Sequence, residues 1–385
     1  IYTIFLRIYS NMYESILKYI KKYDNSWCKM MNYDNIYISA FDHPLSYHLE
    51  PYDLGAYKRY PKHNFVYDKL WIAKSQDLAC GRIENINIES RINYPIFIKP
   101  RWGHKTSSSR NCFKIDSFNE LEKYQGKPDM IWSEYIDGTE RMTDFMLVQG
   151  RIVYEITYQY SKNQHGYIDE WKYISPKNKC PQMVYDWVEK HMNGYTGCLN
   201  VQYRGHRIIE VGLRFARGGS YIQSTQNKAL IDNINLVADE NIWDHNTDDQ
   251  LDYKPFYSFK CYTKSPLYYI LPYNITKNIL RKFDCMPFFE YYFEPSGNEG
   301  MVFLQFTHSD FEKGMKCKRF FEYLVAYCNY ILLLALVMAI IMISIDFNNN
   351  KIGYIVISIV FFIYLTRFFN PIDVQYKLMK VQKQK

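Results

Sequence analysis

The chain has 385 residues, 48% of them apolar and 23% charged, which is enough to bury a core and excludes a disordered polypeptide. Its net charge of +7 is dispersed, apart from a cluster at Lys313–Arg319, so no nucleic-acid stripe is present and no nucleic-acid partner is expected. Nine cysteines stand singly with no C-x-x-C pair, which excludes a zinc ribbon, argues against a disulfide scaffold and points to a reducing compartment.

At about 100–200 residues per domain, two or three units are expected. Residue 1 is isoleucine, which points to a fragment or a trimmed chain. Ile1–Tyr13 does not read as a signal peptide, because Arg7 interrupts it and no small-residue cleavage site follows. Met12–Tyr23 is predicted as a helix and Asn35–Ala40 as a short strand. Tyr67–Leu78 reads as a helix, and Tyr94–Lys99 as a strand from its Ile, Phe and Tyr content. Asp116–Tyr124 is a short helix capped by Asp116 or Ser117, with Glu120 near the capping-box position. Asp129–Ile136 is a strand that runs into the turn Asp137-Gly138. Asp144–Val148 and Arg151–Thr157 form a hairpin about Gln149-Gly150. Pro181–Met192 is a helix with proline at its start. Cys198–Tyr203 and Arg207–Val211 form a second hairpin around Gly205, and Asn227–Asp239 is a helix. Residues 255–310 are rich in Tyr and Phe, with a strand at Met301–Phe306. Strand, helix and strand followed by antiparallel hairpins describe an α+β fold rather than a run of βαβ units.

Tyr323–Ile345 carries no charge over its whole length, and Ile352–Phe369 is apolar up to Arg367. At 1.5 Å per residue these runs make roughly 34 Å and 27 Å of helix, against a hydrocarbon core of about 30 Å. They are expected to form a two-helix transmembrane hairpin. Lys313, Lys316, Lys318 and Arg319 precede it, and the tail ends in Lys377, Lys380, Lys383 and Lys385. The positive-inside rule then places both flanks, and the catalytic domain, in the cytoplasm.

No G-x-x-x-x-G-K-[ST], G-x-G-x-x-G or H-E-x-x-H motif is present. Four other features stand in order. Lys69 lies on the helix YDKLWIAKSQDL. Lys99 ends an apolar strand, where an ammonium is costly without an anion, and is followed by the loop Gly103–Arg110 with Ser107 and Ser108, whose N–H groups suit phosphate oxygens. IWSEYIDGTE then places Glu134, Ile136 and Glu140 around a strand edge and turn. A strand edge there suits an adenine, and Glu140 suits ribose hydroxyls. Finally, in GCLNVQYRGHRIIEVGLRFARGG, Asn200 and Gln202 share a strand face and Glu210 lies on the partner strand, a hard-oxygen set suited to Mg²⁺. Arg214 and Arg217 follow as cations able to grip phosphate. Each feature alone also reads as an ordinary helix lysine, basic turn, acidic turn or amphipathic hairpin.

Taken in order, these residues resemble the ATP-grasp superfamily, in its carbamoyl-phosphate-synthetase-like and carboxylate–amine ligase branch, over Tyr67 to Gln223. The resemblance implies two α+β subdomains with nucleotide between them. It implies Lys69, Lys99, Ser107, Ser108, Glu134, Ile136 and Glu140 on ATP, and Glu210, Gln202 and Asn200 on Mg²⁺. It also implies Arg214 and Arg217 as catalytic cations. The activity implied is ATP-dependent joining of a small carboxylate to an amine or other nucleophile through an acyl phosphate. In the family pattern an Asn usually stands two residues after the Glu, and a Pro precedes the Arg. Here those positions are Gly212 and Leu213. Two other functions remain open: a non-catalytic ATP-binding or scaffold protein, with Gly212 as its mark, and a membrane protein whose remaining part is an interaction domain. The expected organisation is an N-terminal segment at 1–66, a remnant of the domain that precedes such modules. An ATP-grasp domain at 67–225, an α+β extension at 226–312 and the hairpin with its tail at 313–385 follow.

Overall fold

The structure, a computed structural model, describes residues 41, 43–85, 92–105, 111–124, 126–161, 170–263, 273–288, 301–345 and 351–368. The expected helix Met12–Tyr23 and strand Asn35–Ala40 lie outside them. The chain divides into two compact units, one of them Phe41–Lys260 with Thr307–Gly314. The other takes its described residues from 261–306 and 315–368.

The first unit opens with α1, Asp53–Arg59, and a 3₁₀ turn at Asn64–Tyr67. Helix α2, Lys69–Lys74, follows. The helix read from sequence over Tyr67–Leu78 is therefore cut at Asp68, whose carboxylate caps α2 by accepting from the Leu70 N–H at 3.0 Å. A four-stranded antiparallel sheet comes next in the order β1-β4-β2-β3. It is built from β1 (Cys80–Arg82), β2 (Ile96–Pro100), β3 (Phe113–Ile115) and β4 (Met130–Glu134). The helix expected over Asp116–Tyr124 is α3, Phe118–Leu121, continued as a 3₁₀ turn, and Glu120 accepts from the Asp116 N–H. Ile83, Ile96, Ile98, Ile115 and Leu121 form the small core under this sheet.

The larger sheet carries β5 (Glu140–Val148), β6 (Arg151–Tyr160), β7 (Trp171–Ile174), β8 (Gly197–Arg204) and β9 (Arg207–Gly212). Their order is β7-β6-β5-β8-β9, and all pairs are antiparallel. Both hairpins turn where the sequence placed them. Gln149 and Gly150 have φ of 51° and 83°, the left-handed pair of a two-residue turn, and Val148 pairs with Arg151. Two-residue alternation then sorts the side chains. Phe145, Leu147, Leu199, Val201, Tyr203 and Val211 enter one core with Ala56 of α1. Val184 and Val188 of α4, Gln182–His191, close that core. Asp144, Asn200, Gln202, Glu210 and Gly212 face the other way, toward the candidate site.

Helices α5 (Ser220–Ser224) and α6 (Lys228–Glu240) follow, α6 capped by the Asn227 side chain on the Leu230 N–H. Strand β10, Phe256–Thr263, pairs through Phe256–Phe259 with β7. The remaining described elements are α7 (Tyr273–Lys282), β11 (Met286–Phe288) beside β12 (Met301–His308), and the helices α8 (Phe311–Ile345) and α9 (Lys351–Phe368); all but Thr307–Gly314 belong to the second unit. These two helices cover the expected transmembrane segments, but the anchor reading is corrected. Among the described residues no helix is long and apolar enough to cross a membrane. The two-span hairpin, the membrane partner and the multi-pass localisation with a cytoplasmic catalytic domain are overturned with it.

Candidate functional site

The two lysines singled out in the sequence meet at the edge of the large sheet. The Lys69 main chain is fixed first, its N–H donating to the Arg101 carbonyl at 2.9 Å. Asp68 holds the Arg101 guanidinium with both carboxylate oxygens, which ties the start of α2 to the end of β2. The other end of α2 is tied to β9 by Gln76. Its amide accepts from the Ile208 N–H at 2.7 Å and donates to the Ile208 carbonyl at 2.9 Å, so a buried edge strand keeps its hydrogen bonds.

A β-bulge shapes the next contact. Gln202 pairs with Glu210 and Tyr203 with Ile208, so Ile209 has no partner of its own on β8. Its carbonyl turns to the small sheet and accepts from Lys99 Nζ at 2.8 Å. Lys69 Nζ lies 3.3 Å from Glu210 Oε1, with Lys69 buried and Glu210 part-exposed. Burial first, and then the positive charge of Lys69, push the Lys99 ammonium down to about 8, and Glu210 partly opposes them. Two buried cations beside one carboxylate leave a local excess of positive charge, which suits an anionic ligand.

Gly103 begins the expected phosphate loop. A methyl group there would lie 3.3 Å from Glu210 Oε1 and 3.6 Å from the Lys69 side chain. The absent side chain is what lets the loop backbone approach the lysine–glutamate pair. His104 stacks on Tyr57 of α1 at 3.7 Å between ring centres. Burial lowers its ring to about 4, so it is neutral at pH 7. Ser107 and Ser108 lie outside the described residues.

The remaining expected residues lie on the two sheets and the connection between them. Glu140 pairs across the sheet with Arg204, whose guanidinium donates to it at 2.8 Å and 3.1 Å. Arg204, which the sequence reading passed over, also bears electrostatically on Lys99. Glu134 ends β4 opposite Ile96, and its N–H donates to the Ala79 carbonyl at 2.8 Å. Ile136 is half-buried in the connection to β5. Gln202 stands directly across from Glu210. Asn200 is turned elsewhere: its amide donates to the buried Asp144 at 2.6 Å. Asp144 also accepts from the Tyr158 hydroxyl at 2.7 Å and from the Ala216 N–H at 3.0 Å. Burial pushes the Asp144 carboxyl up to about 6 against those three donors. The sequence reading places Asp144 only as the start of a hairpin strand and gives it no role, although an acid leading into the apolar run Phe145–Val148 is a visible signal.

Arg214 leaves β9 just past Gly212 and donates to Asp53 Oδ2 at 2.7 Å and to the Phe215 carbonyl at 3.2 Å. Arg217 sits three residues on, with a left-handed φ of 52°, and its carbonyl accepts from the Ser220 hydroxyl at 2.9 Å. The structure thus gathers Lys69, Lys99, Glu210 and Gln202 at one place, with Glu140 held by Arg204, and holds Arg214 against α1. Among the described residues no group of three or more His, Cys, Asp or Glu forms a metal site. One part-exposed carboxylate with an amide opposite suits Mg²⁺, which keeps few protein ligands and is completed by substrate phosphates.

No family model and no curated protein matches the chain. Solved structures do. Carboxyaminoimidazole ribonucleotide synthase from Aspergillus clavatus, complexed with ATP, is 11% identical with a TM-score of 0.51, covering 71% of this chain and 79% of that one. L-amino acid ligase from Bacillus licheniformis is 14% identical with a TM-score of 0.46, covering 67% and 71%. Phosphoribosylamine–glycine ligase from Thermotoga maritima is 12% identical with a TM-score of 0.47, covering 69% and 77%. The likeness to the Aspergillus synthase shows the fold: the chain has the α+β architecture expected from the resemblance to the ATP-grasp superfamily.

Proposed function

We propose that the chain binds ATP with Mg²⁺ between its two sheets and uses it to activate a small carboxylate for attack by an amine or similar nucleophile. One observation carries this reading: Lys69 of a helix pairs with Glu210 of the large sheet, and Lys99 of the small sheet bonds to the carbonyl of its neighbour Ile209. The shared fold with a synthase solved with ATP supports it.

In this reading Lys69 and Lys99 neutralise the α- and β-phosphates, and the Gly103–Lys105 backbone covers them. Ile136 and Glu134 lie along the adenine, while Glu140, held by Arg204, accepts from the ribose hydroxyls. Glu210 and Gln202 hold Mg²⁺, which supplies charge neutralisation on the phosphates. Asn200 supports this set indirectly, through Asp144. Arg214 faces the phosphoryl group as it passes to the substrate carboxylate, and Arg217 stands next along the same loop. The carboxylate oxygen forms the new bond to the γ-phosphorus while the bond to ADP breaks. The amine then takes the acyl carbon, phosphate leaves, and the amine proton passes to solvent. The protein contributes positioning and preorganised charge and needs no nucleophile of its own.

Binding of ATP without turnover is favoured by one observation, the absence of a side chain at Gly212. A screen of amino acids and other carboxylates for ATP-dependent phosphate release separates the two. Release that requires an added carboxylate and amine supports the ligase. Nucleotide binding with no release under any pair supports the non-catalytic reading.

A further inference from the structure

The space beside Gly212 is occupied. A methyl group on Gly212 would lie 2.9 Å from Asp53 Oδ1, a carboxylate that arrives from α1, more than 150 residues earlier in the chain. The other oxygen of the same carboxylate receives Arg214 Nη2 at 2.7 Å. Tyr67 completes the arrangement: its hydroxyl accepts from the Leu213 N–H at 3.0 Å and bonds to Asp53. Asp53 therefore lies against Gly212 at the strand end and holds Arg214 just beyond it. The arginine is part-buried, where a guanidinium needs an acidic partner and a fixed geometry to be useful. A side chain at 212, the last residue of β9, would reach the same volume, two residues before Arg214.

We propose that Asp53 is a positioning residue for the phosphoryl-transfer site: it replaces, from another part of the chain, the polar side chain that Gly212 lacks, and thereby aims Arg214 at the γ-phosphate. The proposal rests on the ligase reading only in naming the γ-phosphate as the target. Helix α1 belongs to the site on this account, since it also carries Tyr57 against His104 of the phosphate loop.

The test compares ATP and ADP affinities, with Mg²⁺, for the full chain and for Asp53→Ala, Gly212→Asn and the double variant. Asp53→Ala is expected to weaken ATP about tenfold and ADP less than about threefold, the loss of one charge-assisted interaction at the γ-phosphate. Gly212→Asn in the Asp53→Ala background is expected to restore the ATP-to-ADP ratio, because its amide enters the vacated space. An unchanged ratio in Asp53→Ala, an equal loss of both nucleotides, tighter ATP binding or a failed rescue would each overturn the proposal. Should the parent bind neither nucleotide, the ligase reading fails. Thermal unfolding of Asp53→Ala, Arg214→Ala and the pair then decides the arrangement: non-additive midpoints with rescue by Gly212→Asn uphold Asp53 as Arg214's support, and additive midpoints overturn it.

Discussion

Lys99 Nζ donates to the carbonyl of Ile209 at 2.8 Å, so a lysine of the small sheet closes on the one residue that β9 leaves unpaired. The bulge is what frees that carbonyl. A regular ladder would have spent it on β8, and the lysine would be a buried cation without this acceptor. The same slip puts Glu210 back in register with Gln202 and next to Lys69.

Lys99 titrates at about 8 in the folded chain against 10.5 ordinarily, driven by burial and by Lys69. Between these values the unfolded chain binds the proton more strongly, so Lys99 adds to stability as pH rises through that window. Nucleotide binding has the opposite sign, because the charged form is the one that meets phosphate. ATP affinity measured from pH 7 to 9.5 is expected to fall above about pH 8, and the fall is expected to vanish in Lys99→Met. An identical decline in that variant would assign it to another group.

Asp144 gathers Tyr158, Asn200 and the Ala216 N–H, joining β6, β8 and the loop that follows Arg214. Asp144→Ala strands buried donors and is expected to cost about 3 kcal/mol in urea unfolding. Asp144→Asn, with one acceptor oxygen left, is expected to cost less. The folded carboxyl titrates at about 6, above its ordinary 3.8, so the folded chain holds the proton more tightly. This group's contribution to stability rises as pH falls from about 6 toward 4, and the pH dependence of unfolding in Asp144→Asn should lack that rise.

With a single part-exposed carboxylate at the expected metal position, Mg²⁺ is expected to bind only together with nucleotide. Calorimetric titration with Mg²⁺ alone should give no binding heat, while ATP should bind more tightly with Mg²⁺ than with EDTA. Glu210→Ala should bring the two ATP affinities together. Tight binding of Mg²⁺ alone would show a metal site built without the phosphates.

Local chemistry made much of this legible. Gln149-Gly150 and Gly205 marked hairpins because their backbones sit at left-handed φ. Lys99 stood out as an ammonium on an apolar strand, and Glu210 as an acid across a hairpin from two amides. What stayed hidden depends on contacts distant in sequence. Nothing near Asp53 announces Arg214, and nothing near Asn200 says that its amide serves Asp144 rather than a metal. The helix expected over Tyr67–Leu78 is shorter, Lys69–Lys74, because Asp68 caps α2 and Tyr67 before it enters the core. The C-terminal segments read as spans because they lack charge. The described residues of α8 and α9 do form helices, but no membrane-crossing one.

The most direct test is calorimetric titration of the full chain and of Lys99→Ala with ATP in the presence of Mg²⁺. The account predicts saturable binding by the parent and a loss of about 10- to 150-fold in Lys99→Ala, as for removal of one charge-assisted hydrogen bond of ~1.5–3 kcal/mol, with both proteins unfolding cooperatively. A parent that does not bind ATP, or a folded Lys99→Ala that binds it as tightly as the parent, would contradict it.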